Sequence, residues 1–203
     1  MSDHPRLPGL LAGDEQLADT AAAWPVISTQ VVFDSDYLSV TVDTIADAGG
    51  AQHARSVVRP HGAVGVIALD EDDRILLVQQ YRHPVGRRLL EIPAGTLDVP
   101  GEAAADAAAR ELAEEADIVA DEWSSFLTLH ATPGYSSERW EVFLATKLSP
   151  VPPEHRTTRV AEEADMQQWW VPFGEAVAAV FDGRITDAMT VAAILGVQAR
   201  RSG

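Results

Sequence analysis

A single alanine-rich helix set among strand-like segments most restricts what this chain can fold into. The stretch from about Glu102 or Ala103 to Ala116 is dominated by alanine, the residue with the best helix propensity. Segments that read as strands lie on both sides of it. Before it come residues 26–33, 37–45 and 52–58, then 62–70, 74–80 and 89–92; after it come 123–130, 138–147 and 166–171. Two further helices are predicted over 173–181 and 187–199. This order excludes a helical bundle and an all-β sandwich and predicts an α/β (α+β) fold. The helix does not recur in a repeated βαβ pattern, so a Rossmann fold is not supported.

The first three strands predict a small antiparallel sheet over 25–59. A sheet that small needs another surface to cover it, either the main domain or a second subunit. Residues 1–24 read as a peripheral N-terminal segment, with room for a short helix near 14–23. The acidic link Glu71-Asp72-Asp73 predicts a hairpin between 62–70 and 74–80, and residues 150–164 form the longest irregular stretch.

Of the 203 residues, 31 are Asp or Glu and 15 Lys or Arg, a formal charge of −16. A nucleic-acid partner is therefore not expected. An anionic substrate would need a local basic island or cations to approach such a surface. The absence of cysteine removes thiolate chemistry and disulfides. No run reaches the length of a membrane span, and a cytoplasmic protein is expected.

On the central helix, Glu111 and Glu115 are four residues apart and Glu114 lies three from Glu111, so all three share a face. Like charges at these spacings cost an isolated helix roughly 0.2–0.5 kcal/mol per pair. A divalent cation would turn that repulsion into coordination, and oxygen ligands on a fixed frame suit Mg²⁺ or Mn²⁺. Arg110 could pair with Glu102 or Glu114 and orient them. Taken alone, such a helix more often presents a solvated face.

Its setting is more specific. Gly95, six residues, Glu102, seven residues, then Arg110-Glu111-Leu112-Ala113-Glu114-Glu115 and Ile118 resemble the Nudix signature, G-x5-E-x7-R-E-U-x-E-E-x-G-U. Two positions depart from it. The first loop is one residue longer, a form found in some ADP-ribose-hydrolysing members, and Asp117 replaces the glycine that ends the helix in a left-handed conformation. The resemblance extends over about 26–197. Upstream, YRHPVGRRLLEIPAG is similar to bacterial ADP-ribose pyrophosphatases. Downstream, Pro133 falls near that subfamily's marker proline, and Ala161-Glu162-Glu163-Ala164-Asp165 resembles its acidic loop.

The resemblance implies a mixed sheet between helices, with residues 60–200 as the catalytic domain and a homodimer formed through the 25–59 sheet. It implies Mg²⁺ (Mn²⁺ possible) held by Glu111, Glu115 and the Ala94 carbonyl, with Glu114 joining through water. Glu163, or else Glu162, is implied as the general base, with Glu115 beside the chemistry. Arg55, Arg82, Arg88, Glu91 and Pro133 are implied as substrate contacts, and Glu102 and Arg110 as supports for the metal ligands. The implied reaction is hydrolysis of ADP-ribose to AMP and ribose 5-phosphate. Another nucleoside diphosphate sugar, a dinucleotide, or binding without turnover remain alternatives. The histidines, the tryptophans and Gly62-Ala63-Val64-Gly65 carry no separate site: no His pair has metal-binding spacing, and no Lys-Ser/Thr follows the glycines.

Overall fold

The computed structural model describes residues 2–3, 6–159 and 165–203. The chain divides into two compact units, residues 1–30 with 42–55, and residues 31–41 with 56–203. The N-terminal stretch holds two paired two-residue strands, β1 (Ser2–Asp3) and β2 (Leu10–Leu11), and a single 3-10 turn at Asp14–Gln16 in place of the short helix expected there. Strands β3 (Val26–Asp34), β4 (Leu38–Ala46) and β5 (Gln52–Pro60) form the expected small sheet, in the order β3-β4-β5. Every residue of β3 is exposed, among them Val26, Ile27, Val31, Val32 and Phe33. In the β4–β5 turn Asp47 accepts hydrogen bonds from the Gly49 and Ala51 amides and meets His53 Nε2 at 2.9 Å, closing the reversal.

The larger unit is built on two sheets. Strands β6 (Ala63–Ala68), β7 (Arg74–Arg82), β8 (Arg87–Glu91) and β9 (Ala94–Thr96) precede helix α1 (Ala104–Ala116). Strands β10 (Ile118–His130), β11 (Arg139–Pro150) and β12 (Gln167–Pro172) and helices α2 (Phe173–Phe181) and α3 (Ala188–Ser202) follow it. One sheet has the order β10-β11-β6-β9 and the other β12-β7-β8. The β11–β6 pair is parallel and the other pairs are antiparallel.

The hairpin expected at 62–80 forms only in part. Its turn closes through the Asp70 amide and the Arg74 carbonyl, but beyond one bridge, Leu69 to Ile75, the strands part into different sheets. Each finds better partners, β6 between β11 and β9, β7 between β12 and β8.

Alternation along β6 and β7 explains the layering. Val64, Val66, Ala68 and Leu76 point into a core completed by Ala107, Ala108, Leu112 and Phe143 under α1. Ile67, Ile75 and Leu77 point the other way, into a core shared with Phe173 of α2 and Met189, Ile194 and Val197 of α3. Strands buried on both faces read as nearly continuous apolar runs, and these do. The mixed sheet between helices is thus present. On α1, Ala107, Ala108, Leu112 and Ala116 are buried, whereas Ala105 is exposed and Ala109 half-buried. Alanine on every side of the helix leaves its apolar stripe poorly marked. Trp169 and Trp170 of β12 are both exposed.

Candidate active site

The cleft forms where α1 lies against β9. Gly95 makes that approach possible, because a Cβ there would overlap the Glu111 carboxyl group. One residue earlier, the Ala94 amide donates to Glu115 Oε2 at 2.9 Å, and Glu115 is only 4% exposed. The glycine strand and the glutamate helix therefore interlock side chain to backbone.

Arg110 occupies the centre of the carboxylates. Its Nε and Nη2 donate to the two oxygens of Glu102, each at 3.0 Å, and its Nη1 donates to Glu111 at 2.7 Å and Glu114 at 3.1 Å. The fork geometry of guanidinium suits such simultaneous pairing. The bond to Arg110 holds the Glu102 carboxyl below its ordinary value of 4.5, and the same partners hold Arg110 charged at any ordinary pH. A carboxylate with a lowered folded pKa stabilises the fold above its unfolded value and loses that contribution as pH falls through the folded one. The thermal-stability advantage of the wild type over Glu102→Gln is therefore expected to be full above about pH 4.5 and to vanish at lower pH. An advantage that persisted unchanged to pH 2 would contradict this.

The C-terminal end of α1 is tied by residues from distant segments. Asp117 adopts the left-handed conformation expected of it, with φ 55° and ψ 36°. Its carboxylate then meets Arg159 Nη2 at 2.7 Å, a partner that glycine could not engage. Arg159 Nε also caps the Glu114 carbonyl, and Gln168 Nε2 caps that of Glu115, so two of the helix's terminal acceptors are satisfied.

The opposite wall carries Arg82. Its Nε and Nη2 grip the buried Glu91 carboxylate in a bidentate pair, at 2.6 Å for the shortest bond. That bond raises the Arg82 pKa against the effect of burial, with Glu115 and Asp187 adding attraction. Glu91, implied as a substrate contact, is paired here with a neighbouring arginine. A cleft of about 680 Å³ is bounded by Gln80, Arg82, Ala94, Gly95, Arg110, Glu111, Glu114 and Glu115, with Tyr37 at its rim. A second lobe of about 540 Å³ shares Arg82, Ala94 and Gly95 and extends to Leu89, Glu138, Trp140, Asp187 and Met189.

Thus Glu102, Arg110, Glu111, Glu114, Glu115, Ala94, Arg82 and Glu91 come together. Arg88 does not line the cleft; it is half-exposed, 3.7 Å from Asp165. Pro133 lies in an exposed turn closed by the Thr132 carbonyl. Arg55 belongs to the smaller unit, where its Nη1 donates to the Ala54 carbonyl. Glu162 and Glu163 fall outside the described residues. The sequence did not single out Gln80, Arg159, Gln168 or Asp187. Only Asp187 left a local signal, as the residue opening the last helix.

The expectation of Mg²⁺ or Mn²⁺ is corrected. Among the described residues, no group of three or more His, Cys, Asp or Glu side chains is arranged to hold a metal ion. The donor set does not fit because Arg110 supplies the positive charge that a cation was expected to supply to Glu111 and Glu114. Ala94 faces Glu115 through its amide hydrogen bond.

Sheets packed with helices, with a glutamate helix locked against a glycine strand at a charged cleft, place the chain in the mixed α/β class. The NUDIX domain matches residues 59–191. The chain is 40% identical over 179 residues to the ADP-ribose pyrophosphatase of Mycobacterium tuberculosis, covering 87% of this chain and 84% of that protein. It is 30% identical to the methanol dehydrogenase activator of Bacillus methanolicus, over 85% of this chain and 91% of that one. A crystal structure of an ADP compounds hydrolase superposes with a TM-score of 0.75 at 22% identity, covering 92% of this chain and 98% of that one, a likeness of fold. The chain belongs to the NUDIX family of hydrolases.

Proposed function

We propose that the protein hydrolyses the diphosphate of ADP-ribose. Water attacks one phosphorus, the bridging P–O bond breaks, and AMP and ribose 5-phosphate leave. The observation that carries this reading is the convergence of the α1 carboxylates and the Arg82–Glu91 pair on one cleft. The 40% identity to the mycobacterial ADP-ribose pyrophosphatase supports the choice of substrate.

In this reading the Arg82 guanidinium, preset by Glu91, donates charge-assisted hydrogen bonds to diphosphate oxygens. Glu115 orients the attacking water, and Glu163 or Glu162 takes its proton. Arg110 and Glu102 hold the helix carboxylates in place. Arg88 and Pro133 are kept in this reading as further substrate contacts. Residues 60–200 form the catalytic domain. The exposed apolar residues of β3 support a homodimer made through the 25–59 sheet, since large apolar surfaces of this kind mark association sites. No helix among the described residues is long and apolar enough to cross a membrane, and a cytoplasmic enzyme is proposed.

The test is product analysis. Purified protein is given ADP-ribose, other nucleoside diphosphate sugars, dinucleotides and nucleoside triphosphates, with and without added divalent salt. ADP-ribose is expected to give AMP and ribose 5-phosphate at the highest kcat/KM. A different diphosphate turned over faster, or no AMP under any condition, would overturn the reading.

A further inference from the structure

Thr190 is fully buried on the first turn of α3, next to Met189 of the second lobe and far in sequence from β9 and α1. Its hydroxyl donates to Asp187 Oδ2 at 2.7 Å and accepts the Ile92 amide at 2.9 Å. Asp187 Oδ2 also accepts the Thr190 amide at 2.8 Å, which caps the helix without help from the hydroxyl. The hydroxyl therefore serves the link to Ile92, whose buried N–H would otherwise lack that acceptor. A second contact from the same turn runs in parallel. Met189 packs onto Gly65 so closely that a Cβ there would overlap its sulfur, and Gly65 pairs directly with Ala94 in the β6–β9 register.

Both routes end on the same strand. Ile92 leads through Pro93 to Ala94, whose amide holds Glu115, and Gly95 abuts Glu111 with no space to spare. A packed interior transmits small displacements, and misplacing a catalytic group by about 1 Å can cost about 100-fold in rate. We propose that Thr190, backed by Met189, is a positioning residue that sets the Ala94–Gly95 strand against the α1 glutamates. For its kinetic consequence the proposal rests on the diphosphate-hydrolase reading.

Thr190→Val keeps the shape and the Asp187 cap but removes the hydroxyl; Thr190→Ser keeps the hydroxyl. Thr190→Val is expected to lower kcat on ADP-ribose by about tenfold with KM changed less than about twofold, and Thr190→Ser to restore kcat. Ile194→Val, a core change on the same helix, controls for lost stability and is expected to keep wild-type kcat. Hydrogen exchange followed by NMR is expected to speed up at both the Ile92 and Ala94 amides in Thr190→Val. Wild-type kcat in Thr190→Val, or an equal fall in Ile194→Val, would overturn the proposal. If the wild-type protein does not cleave ADP-ribose, the functional reading fails, and exchange alone decides: unchanged protection at Ala94 in Thr190→Val overturns the positioning role, and faster exchange there supports it.

Discussion

Gly95→Ala is expected to leave the protein folded and to cost about 100-fold in turnover of ADP-ribose. The added methyl would occupy space now held by the Glu111 carboxyl group. What it meets is the end of a flexible side chain rather than backbone, so the conflict can be relieved by moving Glu111 instead of unfolding β9. Moving Glu111 breaks its 2.7 Å bond to Arg110 Nη1, which also holds Glu114. Circular dichroism and a melting curve close to wild type, with kcat greatly reduced, are the expected pair of results. Wild-type kcat would show that the Glu111 position does not matter to the chemistry. Loss of the folded state would show that β9 and α1 cannot separate even slightly.

Arg82→Ala is expected to lower both stability and substrate use. Glu91 is 4% exposed, and Arg82 is the cation that meets it at 2.6 Å. Removing one partner of a fully buried ion pair costs about 3–5 kcal/mol, because the remaining charge is stranded. The Arg82 side chain is 40% exposed, so water can reach the vacated site and the cost is expected to fall to about 2 kcal/mol. Denaturant titration measures this. Adding Glu91→Gln to Arg82→Ala is expected to recover part of the loss, since no carboxylate then remains unpaired. Activity should not recover with it. kcat/KM for ADP-ribose is expected to stay about 10- to 100-fold low, the worth of a charge-assisted hydrogen bond. A double variant that regained both would make Arg82 a structural residue only.

Local chemistry fixed a definite part of this protein. Alanine propensity gave α1 its existence and nearly its ends, and the left-handed turn at Asp117 followed from its match to the signature's helix-ending glycine. Apolar residues at 63–68 and 75–78 marked two strands, and the structure places both in the interior. Within α1 the spacing of Glu111, Glu114 and Glu115 put three carboxylates on one face, because helical periodicity converts spacing into a shared face, whereas Gly95 and Glu102 precede the helix and were tied to it only by the resemblance.

Tertiary structure decided what those side chains do to one another. A helix with alanine all round does not state which face is buried, and packing chose Ala107 over Ala105. Carboxylate spacing predicts repulsion but not its remedy. Folding supplied Arg110 as the common partner of Glu102, Glu111 and Glu114, where the sequence had suggested a metal ion. The acidic link at 71–73 specified a turn, yet competition for strand edges sent β6 and β7 into different sheets. Arg159 at Asp117 and Thr190 behind Ile92 join residues 42 and 98 positions apart. Such contacts leave no local pattern, because hydrogen-bond partners are set by where the folded chain places them. The sequence by itself determined that α1 would carry Arg110, Glu111, Glu114 and Glu115, and the three-dimensional packing determined which other residues join them at the cleft, their charge partners and their support.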